Sequence, residues 1–461
     1  MSVLDPISDQ APVQIGLKVP LCIGISKEPV MRRALQSYDS CNAALVGLLP
    51  SKRALLAYFE PAAIEAAVAV CFWGRSGSFL LQSYLDSHEE VVSLPEIAGQ
   101  SIYAFCDEFP TLSVWDRLVA YPFYAEALEG ESAALLSGKY SVSAEHYFAA
   151  IHSLYEAYGS KDDPASTSCK RFFQYLHVAF AVASGRRCNS PTPLLVCSQH
   201  WTDDSLAQRF IADFPNGKFI HTVRDPISAL DSWFDRQIAM QRLGIAIDGK
   251  VSRQRWGFLS SRYMDPSGQT VRSLLRWDRA HAGMAERTRA VRFEDMHLDP
   301  ENTMRRLAAW LGIGYRDSMI ESTFNGVPFV WDSGGKSWVG AYPNNALRRS
   351  KNLFASDRAL YFVLLRENFL RWNYPYRKIP GQQYLGILYV AFLALLPTKF
   401  EVLNLRLIWR EQIVPAIRKG NPTDLLIAPM FMLARRLALA LFLLRQAIMR
   451  ARNKRLLLRL I

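Results

Sequence analysis

The sequence predicts an α/β fold: a three-layer α/β/α domain of the phosphate-loop kind around a central parallel sheet, followed by a helical C-terminal appendage. Three observations carry this reading. Val68-Ala-Val-Cys-Phe-Trp73 is a short apolar run, as expected of a strand buried on both faces, and it leads directly into Gly74-Arg-Ser-Gly-Ser78 and a helical pattern from Phe79 to Leu85. A second αβ unit follows, with Leu194–Cys197 strand-like, Asp204–Phe214 helical, Pro215-Asn-Gly217 a turn and Lys218–Val223 another strand. Beyond Arg377 the chain then becomes apolar and cationic together.

The first strand is expected to be a buried strand of a parallel sheet because it lacks the polar alternation of a half-solvated one. Residues 99–190 read as a largely helical, aromatic-rich insertion, with breaks near Lys161–Pro164 and Arg186–Pro193. Asp299-Pro-Glu opens a helix that runs to Leu311 and stops at Gly312, with proline in the first turn and glycine at the exit. Residues 1–66 form an N-terminal extension of unclear structure, 67–376 the main domain and 377–461 the tail.

The chain has 461 residues, half of them hydrophobic and 21% charged, which excludes a globally disordered protein. Its net charge of +12 belongs to the tail. Residues 377–461 hold 15 Lys and Arg against Glu401, Glu411 and Asp424, leaving 39 basic and 39 acidic residues before them. A nucleic-acid-binding reading of the basicity is therefore set aside. Seven cysteines (22, 41, 71, 106, 169, 188, 197) show no CxxC spacing; this argues against a disulfide framework or zinc site and for a reducing, cytoplasmic compartment. The N-terminal residues show no basic stretch followed by an apolar one, so no signal peptide is expected.

A glycine- and serine-rich strand-to-helix turn is an anion site for two reasons. The helix start offers unpaired backbone N–H groups and partial positive charge, and small residues let the backbone close on phosphate oxygens. Gly74-Arg-Ser-Gly-Ser78 meets this description, and Arg75 adds a cation able to grip two oxygens. An ATP-using kinase would need GxxxxGK[ST] here, and that lysine is absent. The one Gly-Lys-Ser string, Gly335-Lys336-Ser337, follows Trp331-Asp-Ser-Gly, which is not a buried strand. A kinase, or a non-catalytic membrane scaffold with a vestigial nucleotide fold, stands as the alternative reading.

Phe72-Trp-Gly-Arg-Ser-Gly-Ser-Phe-Leu-Leu81 resembles the 5′-phosphosulfate loop of sulfotransferases that use 3′-phosphoadenosine 5′-phosphosulfate (PAPS), in the branch with arginine in the loop, as in tyrosylprotein and bacterial carbohydrate sulfotransferases. Lys218–Trp233 is similar to that family's 3′-phosphate segment, Val291–Met296 to a mostly structural element, and Gly334–Gly340 to a late loop that closes over the nucleotide. The resemblance implies that Gly74, Arg75, Ser76, Gly77, Ser78 and Phe79 hold the 5′-phosphosulfate, that Arg224 and Ser232 bind the 3′-phosphate, and that Lys336 reaches the sulfate. It implies Arg75 and Glu96 as the catalytic pair, Glu96 being the general base twenty-one residues after Arg75. His88, in the Asp86-Ser-His turn, is the rival base. PAPS is then the donor, PAP the product, and no metal is required.

The acceptor is expected to be a glycan, a glycolipid or another small or lipid-linked molecule. Among the aromatics of the insertion, Tyr103, Phe105, Trp115 and Tyr147 read mainly as core. In the tail, Tyr384–Leu396 is too short to span a bilayer, and Leu425–Leu444 carries Arg435-Arg436 at its middle. This pattern points to peripheral contact with the inner face of a membrane.

Overall fold

A computed structural model describes residues 60–72, 76–121, 144–159, 167–185, 188, 190–200, 204–232, 234–235, 282–324, 326–333, 336–346 and 353–375, with scattered positions from 388 to 461. The expected extension lies outside the described residues up to position 59. In chain order the elements are β1 (Ala67–Phe72), α1 (Ser78–Leu85), β2 (Val91–Ala98), α2 (Gly99–Glu108), α3 (Val114–Ala120), α4 (Ala144–Tyr158), α5 (Cys169–Ala183), β3 (Leu194–His200), α6 (Asp204–Asp213) and β4 (Lys218–Val223). There follow β5 (Thr288–Arg292), α7 (Phe293–Leu298), α8 (Pro300–Leu311), the short strands β6 (Thr323–Phe324), β7 (Val327–Pro328), β8 (Val330–Ser333) and β9 (Lys336–Val339), then α9 (Ala355–Leu364) and α10 (Arg366–Arg371). Residues 226–232 are helical as well.

The five long strands form one parallel sheet in the order β2-β3-β1-β4-β5, so the first strand is central, as its apolar run requires. Alternation along β1 sorts its side chains between two layers. Ala67, Ala69 and Cys71 face a layer of α2 to α6, where small residues leave room for Phe172, Phe173, Phe210 and Phe214. Val68 and Val70 face α1, α7 and α8. The result is a three-layer α/β/α domain.

Helix α8 begins at Pro300 and ends at Gly312, whose φ of 84° is left-handed. Lys218 Nζ, from the start of β4, donates to the carbonyls of Trp310 (2.7 Å) and Leu311 (3.1 Å). A cation thereby satisfies orphan acceptors at the negative end of the helix. The insertion aromatics fill the core. Tyr103, Phe105 and Tyr147 are buried, and Trp115 packs edge-on against Tyr155 and Tyr175.

One expectation needs correction. Cys106 in α2 and Cys169 in α5 form a disulfide, with Cα atoms 5.9 Å apart. The pair is 63 residues apart in the chain and becomes adjacent only when α2 and α5 pack, so local spacing carried no sign of it. The reducing-compartment expectation loses the support it drew from the cysteine spacing. Part of the tail packs on the main domain. Leu393 and Ala440 are buried with α9, α10 and Val223, and Ile461 N–H donates to Ala290 O (3.0 Å), placing the last residues beside the edge strand β5.

Burial holds His177 in α5 and His297 in α7 down to about 4 from an ordinary 6.5, with Arg224 adding to the effect at His297. The unfolded chain takes up these protons first as pH falls. Stability is therefore full above pH 6.5 and declines toward pH 4, by on the order of 2 kcal/mol per ring at pH 4.5. Urea unfolding at pH 7 and 4.5 checks this, and His177→Gln is expected to shrink the difference. For the disulfide, non-reducing peptide mapping is expected to recover Cys106 linked to Cys169. Cys106→Ser is expected to lower stability by up to about 4 kcal/mol, the chain-entropy value for a loop of this length.

Candidate active site

In a parallel α/β sheet the loops that follow the strands meet at one edge, and ligands bind there. β1 and β4 are neighbours in this sheet, with Cys71 level with His221. The loop after β1 and the segment after β4 consequently emerge side by side. A buried hydrogen bond fixes the two together, Ser76 Oγ to Thr222 Oγ1 at 2.8 Å. The Ser76 hydroxyl is thereby tied to the neighbouring strand.

Gly77 precedes α1 with φ 92°, a left-handed conformation that favours glycine. A Cβ on Gly77 would lie 2.4 Å from Phe293 Cδ2 and 3.3 Å from Met296 Cε. Both the dihedral and the space therefore demand glycine. Ser78 opens α1 and is buried, while the Phe79 ring meets Phe324 edge-on at 6.3 Å. Gly74 and Arg75 lie outside the described residues.

Arg224 follows β4 and is buried, its guanidinium carbon 4.2 Å from the centre of the Phe293 ring. A stacked guanidinium keeps its planar fork aimed and loses little hydration, which suits an arginine that reads phosphate. Phe293 thus touches the first phosphate loop on one side and supports the second cation on the other. Its remaining edge meets the His297 ring at 4.4 Å.

The segment after Arg224 is pinned by Glu294. Its Oε1 accepts from Asp225 N–H (3.0 Å) and its Oε2 from the Tyr374 hydroxyl (2.6 Å). Burial pushes the Glu294 carboxyl up, opposed by those two donors and by Arg224. Asp225 Oδ1 accepts from Ser228 N–H at 2.8 Å, an N-cap that starts the helical run 226–232 with Pro226 in its first turn. Ser232 is half-buried on this run, two turns beyond the cap.

Glu96 lies at the same edge of the sheet, near the carboxyl end of β2. There the strand leaves register: five steps from Ser93 to Ala98 face two from Val196 to Ser198. Glu96 belongs to this bulged stretch beside Pro95, and bulges of this kind recur next to active sites. Its side chain lies outside what the structure describes. The rival base is engaged elsewhere: His88 Nε2 is 2.6 Å from Gly314 O, and Nδ1 accepts from Glu90 N–H at 3.1 Å. One ring nitrogen thus serves the turn after α1 and the other ties it to the exit of α8.

Lys336 starts β9, which pairs antiparallel with β8, Ser333 opposite Lys336. A hairpin replaces the expected loop, and no helix follows Gly335-Lys336-Ser337, so the exclusion of a kinase-type loop there stands. Trp338 of the hairpin stacks on Tyr342 at 4.9 Å, and Tyr342 N–H donates to His297 Nδ1 (2.9 Å). The hairpin is thereby coupled to α7. The Lys336 side chain is outside the description. Sequence reasoning missed Thr222, Phe293, Glu294 and Tyr374; the signal at hand was Val291–Met296, read there only as structural.

A central parallel sheet with a glycine turn after its first strand and a buried arginine after its fourth places these residues at the carboxyl ends of the strands, where α/β domains bind ligands. The family model described as “Sulfotransferase family” matches residues 68–317, which is 250 of the 461 residues, and the chain belongs to that family. Similar solved structures include a sulfotransferase domain from the curacin biosynthetic pathway (15% identity, 68% of this chain and 100% of that one, TM-score 0.38). Others are a sulfotransferase domain of the Synechococcus PCC 7002 olefin synthase (17%, 56% and 77%, 0.31) and a sulfotransferase of Mycobacterium avium (15%, 64% and 72%, 0.31). No curated protein sequence matches the chain.

Gly77→Ala is expected to cost roughly 2 kcal/mol through strain and the clash with Phe293, and to abolish PAP binding. Glu294→Ala is expected to cost a similar amount, about 2 kcal/mol, by stranding the Asp225 N–H and the Tyr374 hydroxyl. Denaturant unfolding and calorimetric PAP titration check both.

Proposed function

We propose that this sulfotransferase takes its sulfuryl group from PAPS and passes it to a hydroxyl or amine of a glycan, glycolipid or other lipid-linked acceptor. The observation that carries the donor is the common seating of Gly77 and Arg224 on Phe293. A cation suited to a 3′-phosphate stands beside a turn suited to a 5′-phosphosulfate, and the 3′-phosphate is what distinguishes PAPS from ATP.

In-line sulfuryl transfer asks an enzyme for positioning and charge stabilisation. The acceptor oxygen or nitrogen forms a bond to sulfur as the bond from sulfur to the 5′-phosphate oxygen breaks. Glu96 takes the acceptor's proton, and PAP leaves with the electron pair. Arg75 offsets the charge that develops on the leaving oxygen. Backbone N–H groups from Ser76 to Phe79 hold the phosphosulfate, Arg224 and Ser232 the 3′-phosphate, and Lys336 approaches the sulfate from the hairpin. The acceptor class rests on the apolar, cationic tail, which favours a substrate presented at a membrane.

Labelled PAPS incubated with the protein and lipid, glycan and protein fractions is expected to label lipid or glycan without added divalent cation. Labelling of protein alone would overturn the acceptor reading. Glu96→Gln is expected to lower transfer about 10² to 10⁴-fold while PAP affinity holds. Arg224→Ala is expected to weaken PAP about tenfold or more and to leave AMP binding little changed. Near-normal turnover by Glu96→Gln would move the base to another residue.

A further inference from the structure

The tail presents an apolar face outward. Described positions between 388 and 395 are helical, and the exposure of their large apolar side chains changes with angle round the axis. Leu388, Phe392 and Leu395 are 68%, 61% and 58% exposed and fall within about 60° of one another at about 100° per residue. Tyr389 and Leu396, farther round, are 36% and 37% exposed, and Leu393 beyond them is buried. The helix is therefore half sunk, with an apolar side turned inward and another turned to the outside.

The inner side is firmly attached. Leu393 shares a core cluster with Val223, Ile227 and Trp372. Just beyond it, Lys399 N–H donates to the buried Asp357 Oδ2 (3.0 Å), which also accepts from Phe354 N–H at the start of α9 (2.9 Å). The outward stripe is thus held rigidly on the core that carries the segment around Arg224. Leu437 and Leu441, four residues apart, repeat the pattern outside the buried Ala440, and Trp409 is also exposed.

We propose that this face, centred on Leu388, Phe392 and Leu395, seats the enzyme on the surface of an anionic lipid bilayer. Charge selects the occupant. Residues 377–461 carry 15 cations against three acids, so two copies docked through this face would bring like charges together, whereas acidic headgroups complement them. Apolar side chains dip into the headgroup and acyl boundary while cations of the tail add attraction to the acidic headgroups. Among the described residues no helix is long and apolar enough to cross a membrane. Seating is independent of the catalytic reading, and its test needs no turnover.

Flotation of the full chain with vesicles of phosphatidylcholine, alone or mixed with phosphatidylglycerol, reads the proposal directly. The wild type is expected to float with the mixed vesicles and to be released by salt. The double variant Phe392→Glu, Leu395→Glu is expected to lose roughly tenfold or more in partitioning. Because both side chains are exposed, its thermal unfolding should match the wild type, and the milder Phe392→Ala, Leu395→Ala pair should show an intermediate loss. Undiminished flotation of the double glutamate variant, or a wild type that ignores anionic vesicles, would overturn the proposal. So would a dimer in solution that the glutamate variant dissociates, since the face would then cover a second copy.

Discussion

Phe293 sits where three parts of the protein have to meet. Its ring occupies the space that a side chain on Gly77 would need, so the turn after β1 can close only around it. The same ring carries the Arg224 guanidinium 4.2 Å from its centre and meets the His297 ring at a steep angle. A cation on an aromatic face contributes on the order of 0.5 to 2 kcal/mol, a modest sum. What the arrangement fixes is relative position. The two segments proposed to read phosphate come from strands that are neighbours in the sheet but about 150 residues apart in the chain, and one side chain from a third strand-to-helix junction lies between them. The adjoining residue, Glu294, then holds the backbone after Arg224 through Asp225 and ties it to Tyr374.

Much of the sheet was legible because its signals are local. The run Val68–Phe72, the glycine turn, Lys218–Val223 and the Pro300-to-Gly312 helix each carry their own patterning, and each stands where the pattern put it. Chemistry followed where family resemblance supplied roles for residues such as Arg224 and Ser232. What stayed hidden depends on tertiary packing. Nothing near Cys106 announces Cys169, and nothing near Gly77 announces Phe293. The bulge around Glu96 is visible only in the register of β2 against β3, because Val91–Ala98 otherwise reads as an ordinary strand broken by Pro95. Likewise, nothing near Ser76 announces its hydrogen bond to Thr222.

The tail shows how charge and burial must be read together. Its cations and leucines suggested a membrane surface, and its contacts with α9 and β5 suggested a packed appendage. The two descriptions are compatible, since they concern different sides of the same segment. The inner side completes the core next to Val223, and the outer side leaves Leu388, Phe392 and Leu395 exposed.

The central claim is that one aromatic ring sets both phosphate subsites. Calorimetric titration of PAP and of AMP, which lacks the 3′-phosphate, into the wild type and Phe293→Leu tests it most directly. If Phe293 spaces the two segments, the variant loses affinity for both ligands, with the larger loss for PAP, while circular dichroism shows the sheet retained. Wild-type affinity for both ligands in a folded Phe293→Leu protein would contradict the account.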